Sequence, residues 1–172
     1  LRPDPPPGPG TPAGHLPQAR VPGAAAFDGT RLVYAGGLDG HQISHSQVFA
    51  MQGNAWQELG PLPAPRNNFV AASDGEGTVW FFGGSQSGGD RTRTIFRLQG
   101  DAVSSESPGL AFGVRTPAAV LWPGAGVCLI GGDGNTKGLV FCVHPPPNAG
   151  WVTPKVQIPR GGLAAAVVGD HV

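Results

Sequence analysis

Tyrosine and methionine each occur once in this 172-residue sequence, cysteine occurs twice, and charged side chains make up only 13%. The formal net charge is zero, so no broad electrostatic attraction toward nucleic acid or an anionic membrane is expected. No apolar run reaches the length of a bilayer-spanning helix. No segment carries the 3.6-residue period of an amphipathic helix either, which excludes a helical bundle. The two cysteines, Cys128 and Cys142, match neither a zinc-ligand spacing nor a Cys-x-x-Cys redox motif. Leu1 is not an initiator methionine and no signal-peptide pattern follows it, so a processed or truncated chain is expected. Low charge with abundant Gly, Ala and Pro leans toward an extracytoplasmic or surface setting.

What the chain has in excess is turn chemistry: 29 glycines and 19 prolines. They are clustered, with apolar runs of four to six residues between them, the pattern of many short strands joined by turns. Residues 1–14 hold six prolines and no apolar periodicity, and residues 1–19 are read as a Pro/Gly-rich linker.

Beyond the linker one unit repeats. Leu32-Val33-Tyr34-Ala35-Gly36-Gly37, Val79-Trp80-Phe81-Phe82-Gly83-Gly84 and Val127-Cys128-Leu129-Ile130-Gly131-Gly132 are three apolar runs that end on a double glycine, spaced about 47 and 48 residues apart. An Arg opens each unit (Arg20, Arg66, Arg115 and Arg160). A Phe follows the glycines (Phe49, Phe96, Phe141). A Trp closes the unit at Trp56 and Trp151, with Val103 in the middle one. Each unit resolves into four strands, in the first about 23–27, 31–35, 47–51 and 55–59. The turns are Asp28-Gly29 and Gly53-Asn54 in the first unit and Gly100-Asp101 in the second.

First strands are built of small residues such as Ala24-Ala25-Ala26 and Val70-Ala71-Ala72, while second strands are apolar on both faces. Both faces of each sheet must therefore be covered. Sheets stacked face to face around an axis satisfy this, with small residues at the crowded centre and Phe49, Trp56, Phe96, Phe141 and Trp151 in the widening wedge outside. The expected fold is an all-β β-propeller segment. It has three four-stranded blades (residues 20–65, 66–114 and 115–159) and the first strand of a fourth (160–172). A hairpin centred near Asn135 places Cys128 opposite Cys142; a cross-strand disulfide and a pair of small buried residues both fit this.

The glycine pairs, the aromatics after them and the Arg opening, as in Pro65-Arg66-Asn67-Asn68, resemble the kelch-repeat propellers over about residues 20–172. Two departures stand out: Val103 in place of Trp, and Phe where that family often has Tyr. Propellers close with four to eight blades. At this period the usual six or seven kelch blades take roughly 280 to 330 residues. Further blades or a second copy are therefore expected to complete the ring.

Strand alternation sends the 2–3 loops (38–45, 85–94, 133–138) and the 4–1 loops (61–68, 105–116, 154–161) to one face. In kelch-type adaptors this face binds peptides, so the resemblance implies a non-catalytic module for a protein or peptide ligand, with no cofactor and no metal. The candidate binding residues are Arg66, Asn67, Asn68, Arg91, Arg93, Arg115 and Arg160. Guanidinium groups beside amides suit an acidic or carboxylate-bearing peptide. A residue repeated at every blade corner also suits bonding to neighbouring carbonyls, and that is the competing role for the recurring Arg. The glycine pairs (Gly36, Gly37, Gly83, Gly84, Gly131, Gly132) are read as architectural, with Trp56 and Trp151, since no helix follows them to make a phosphate site. Asp39, His41 and His45 share a loop, yet their spacing there does not present a metal-ligand set as it would on a helix. The alternative is a piece of a secreted or surface enzyme, galactose-oxidase-like or carbohydrate-related, with its catalytic residues outside these residues. The paired Tyr and His ligands of such oxidases are absent, as are Ser/His/Asp and paired-carboxylate arrangements.

Overall fold

The computed structural model describes residues 15–133, 140–143 and 161–167. The described residues are all-β, with no helix among them. Eleven strands run in sequence order: β1 Ala24–Phe27, β2 Leu32–Ala35, β3 Val48–Gln52, β4 Ala55–Glu58, β5 Val70–Ser73, β6 Thr78–Phe82, β7 Ile95–Gln99, β8 Ala102–Glu106, β9 Ala118–Trp122, β10 Gly126–Ile130 and β11 Val140–Val143. They form blade-like antiparallel meanders of successive strands, β1-β2-β3-β4, β5-β6-β7-β8 and β9-β10-β11. We call them blades I, II and III. The expected fourth strand of blade III, with Trp151 and Pro145–Pro147, lies outside the described residues, as do Arg160 and residues 1–14. Ala164, Ala165 and Ala166, expected as a first strand, join no sheet among the described residues.

Side-chain alternation explains the stacking. On β6, Val79 and Phe81 belong to the core shared with blade I, whereas Trp80 and Phe82 belong to the core shared with blade III. The first core also takes Val33, Ala35, Val48, Phe96 and Leu98; the second takes Ile95, Val114, Val127, Leu129 and Phe141. Burying one such Phe or Leu contributes about 1.5–3 kcal/mol, so the β6 run ties blade II to both neighbours. The alanine-rich first strands lie side by side, β1 against β5 and β5 against β9, where larger residues would hold the sheets apart.

A backbone thread crosses the blades just before each first strand. The Asn68 N–H donates to the Pro22 carbonyl at 3.3 Å, Thr116 to Asn68 at 2.7 Å, and Gly162 to Thr116 at 3.0 Å. Asn68, Thr116 and Gly162 share positive φ values of 53°, 50° and 67°. Gly162 thus repeats the bond and the backbone conformation of Asn68 and Thr116.

On the face opposite the candidate loops, the Asp28 carboxylate accepts from the Thr30 and Arg31 amides at 2.8 and 2.6 Å and from Arg31 Nε at 3.1 Å. Arg31 continues to Asp101 at 2.7 Å and to the Gly100 carbonyl at 2.9 Å, joining blade I to the hairpin tip of blade II. Burial pushes the Asp28 pKa up, but the Arg31 and Thr30 hydrogen bonds outweigh it and hold the group below its usual range.

Cys128 and Cys142 are cross-strand partners on β10 and β11 and form a disulfide, with Cα atoms 3.9 Å apart. Both are fully buried, on the face of blade III turned away from blade II, with Val140 and Ile130. Of the two arrangements compatible with the sequence, the covalent one is present. The corresponding outer face of blade I is open: Phe27 is 59% exposed and Leu32 39%.

Candidate functional site

Isolated bridges join the two families of loops into one layer. His45 pairs with Arg66, Asn67 with Ser85, Thr92 with Val114, and Arg115 with Asp133. The 2–3 and 4–1 loops therefore share a face and hold one another through backbone pairs. The glycine pair sets this up. The Gly37 amide donates to the Arg66 carbonyl at 2.8 Å, and the Gly84 amide to the Val114 carbonyl at 2.7 Å.

These bonds correct the register of the Arg marker. Arg20, Arg66 and Val114 are equivalent, each four residues before its first strand, and Arg115 sits one residue later, level with Asn67. Arg66 is buried: Nη2 donates to Thr94 Oγ1 at 2.9 Å, Nη1 to the Pro65 carbonyl at 2.7 Å, and the guanidinium stacks 5.0 Å from the Phe96 ring. Burial alone draws its pKa down. Arg20 repeats the arrangement over Phe49 at 5.6 Å and bonds Gln47 at 2.9 Å. In blade III the buried Val114 fills the same place with apolar volume. The recurring Arg is thus a corner brace. Arg93 also braces, donating to the Leu110 carbonyl at 2.7 Å.

The remaining candidates converge. Asn67, Asn68 and Arg115 line a cavity of about 220 Å³ with Leu38, Gln42 and the 85–89 segment. Asn67 is held from behind, its amide donating to Ser44 Oγ at 2.6 Å while its Oδ1 accepts from Asn68 at 2.5 Å. Arg115 Nε donates to Asp133 Oδ2 at 2.5 Å, and Arg91 donates to the other oxygen, Oδ1, through Nε at 2.8 Å and through Nη2. The Arg115 and Arg91 hydrogen bonds hold the Asp133 carboxyl below its usual range.

Asp39 shapes the first 2–3 loop. Its Oδ1 accepts from the His41 and Ile43 amides at 2.9 and 3.0 Å, and its Oδ2 meets His45 Nε2 at 3.0 Å. The Ile43 amide, then His45, lower its pKa to about 2. His41 contributes through its backbone, so the loop is tied by the carboxylate. Among the described residues, no three His, Cys, Asp or Glu side chains group as a metal site requires.

The pKa shifts set a direction for pH dependence. Asp28, Asp39 and Asp133 all titrate lower in the folded protein than in the unfolded one, so each adds stability that is present above the unfolded value of 3.8 and lost as pH falls through its lowered folded value, which for Asp39 is about 2. The unfolding midpoint in urea is expected to be level from neutral pH down to about 5 and to fall between about pH 4 and 2. Asp133→Asn should flatten part of that fall. A midpoint independent of pH across this window would remove these carboxylates as stabilising groups.

The sequence pattern alone did not single out Ser85. It follows the second glycine pair, where the other repeats carry Leu38 and Asp133, and that variation at an otherwise repeated place is the signal it offered. Ser85 is 1% exposed, it lines the cavity, and its hydroxyl has no hydrogen-bond partner. Among the described residues no helix is long and apolar enough to cross a membrane. No protein-family model matches the sequence, and no curated protein matches it.

Proposed function

We propose that this protein is a segment of a kelch-type propeller that acts as a non-catalytic binding module, engaging a protein or peptide through its 2–3 and 4–1 loops. The observation that carries the reading is the cavity of about 220 Å³ in that loop layer, where residues of both loop families, Asn67, Asn68 and Arg115 with the 85–89 segment, line one opening. The loops around it are stitched by backbone bridges, so a ligand meets a pre-formed surface and little ordering entropy is lost on binding. Asn68, Thr116 and Gln42 hold positive φ here without being glycine, a strain that clusters at ligand sites. The Cys128–Cys142 bond supports an oxidising, extracytoplasmic setting.

A selection of displayed random peptides on the full-length sequence tests the reading. Selected peptides should lose at least about tenfold in affinity with Gln86→Arg at the cavity and keep it with Gln99→Arg on the opposite face. The reverse pattern would move binding to the other face.

A further inference from the structure

We propose that the cavity between blades II and III, on the face opposite the 2–3 and 4–1 loops, receives a lysine side chain from a basic segment of a protein partner, its stem against Leu121 and Trp80 and its ammonium at Asp74 and Glu76. This is a second site, and it does not depend on the loop-face reading above.

The cavity holds about 470 Å³, inside the range of roughly 300–1,000 Å³ that ligand sites occupy. Strand alternation makes its floor apolar. Trp80, Val127 and Val143 belong to the core shared by the two blades, and Leu121 is the cross-strand partner of Val127, on the same face. Leu121 is 43% exposed, and its Cδ2 lies 3.8 Å from where a Cβ on Gly75 would stand, so it spans from blade III to the 74–77 turn of blade II. The rim is acidic. Asp74 Oδ1 accepts from the Glu76 and Thr78 amides at 2.8 and 3.0 Å, which fixes the turn and leaves Oδ2 without a partner among the described residues. Glu76 is exposed, and its carboxylate is in no ion pair among them. No Lys, Arg or His among the described residues lines the cavity. The facing turn is closed by the Ala125 amide donating to the Trp122 carbonyl at 3.0 Å, so both rims are set before a ligand arrives.

This chemistry selects the ligand. An anion would meet two carboxylates. A metal ion would meet too few ligands, since no three His, Cys, Asp or Glu side chains group among the described residues. A sugar needs an open ring to stack on, and Trp80 is only 7% exposed. A lysine lays its four-carbon stem on apolar surface and keeps its charged head at the water-facing rim. The surroundings favour a protein as its source. Glu76 also lines a neighbouring cavity of about 460 Å³ with Asp28 and Asp101. Among the described turns of this face, Arg31 is the one cation beside Asp28, Asp74, Glu76 and Asp101. An acidic surface that continues past the cavity matches a segment with several basic residues, whereas a free amine would use only part of it.

Four probes test the proposal on the full-length sequence: N-acetyl-Gly-Lys-Gly-Lys-Gly-amide, its norleucine and acetyl-lysine counterparts, and n-butylammonium. Binding is read by NMR at the Glu76 and Gly124 amides, one on each turn. The lysine peptide should give a saturable shift at both, weakened by added salt, at least about tenfold tighter than n-butylammonium, and the two neutral peptides should give none. Glu76→Gln should weaken binding about tenfold and leave the unfolding midpoint unchanged, because the carboxylate is exposed and unpaired. Equal binding by the norleucine peptide overturns the ammonium. n-Butylammonium binding as tightly as the peptide assigns a free amine and overturns the protein partner. No shift at either turn overturns the site, as does binding that Glu76→Gln and Asp74→Asn together leave unchanged. None of these results bears on the loop face, whose residues give separate signals.

Discussion

Replacing Cys128 and Cys142 together by alanine should lower the unfolding free energy by about 3 kcal/mol, the loss expected for opening a cross-link of 14-residue separation. The bond joins neighbouring strands that already pair, so its effect lies in the unfolded state, which gains the freedom the link had removed. Both residues are fully buried, and the volume lost on truncation adds to the loss. Alanine is the informative substitute, since serine would bury two new hydroxyls on the same face. Urea titrations with and without reductant provide the check. The wild-type midpoint should fall toward that of the double variant when reductant is added, and the variant's should stay where it is. A wild-type midpoint indifferent to reductant would show that the pair does not stabilise the fold.

Gly83→Ala should destabilise by about 3–5 kcal/mol, while Gly53→Ala should lose about 1 kcal/mol. The two glycines have nearly the same backbone, with φ of 63° and 60°, so the strain of a left-handed alanine is common to both. They differ in surroundings. A Cβ on Gly83 would lie 2.5 Å from the Val114 carbonyl oxygen and 2.5 Å from Val114 Cγ2, whereas one on Gly53 meets nothing within 4 Å. The difference between the variants therefore isolates the approach of one blade to the next. Gly36→Ala should resemble Gly83→Ala, because a Cβ there would strike the Arg66 carbonyl oxygen, the same contact one blade earlier. If Gly83→Ala and Gly53→Ala unfolded at the same denaturant concentration, the glycine pair would be a turn device alone.

The strands were legible because their signals are local. In blade I the expected 23–27, 31–35, 47–51 and 55–59 fall within one residue at each end of Ala24–Phe27, Leu32–Ala35, Val48–Gln52 and Ala55–Glu58. Alternation and turn residues carry that information within a few positions. The register of the Arg marker was not local. Arg115 looks like the third member of the series, and only the Gly84–Val114 backbone bond, formed between blades, shows that Val114 holds the place. The same holds for the cavity. Asn67, Asn68 and Arg115 were visible as polar residues on the right loops, but Ser85 became notable only once Asn67 had taken its backbone groups and nothing had taken its hydroxyl. Arg66 illustrates the converse. Its chemistry suited a ligand, and Phe96 with Thr94 and Pro65 absorbed it into the corner.

The alternation along β6 has one more consequence. Trp80 and Phe81 are joined by a single peptide bond yet belong to different cores. Neither side of β6 faces water, so a substitution at Trp80 acts on the interface with blade III and one at Phe81 on the interface with blade I. Blade II is the keystone of the three, the one that contributes to both cores. Arg115 lies on the neighbouring blade and Asn67 and Ser85 on this one, so the opening between them sits over the core that Trp80 and Phe82 share with blade III.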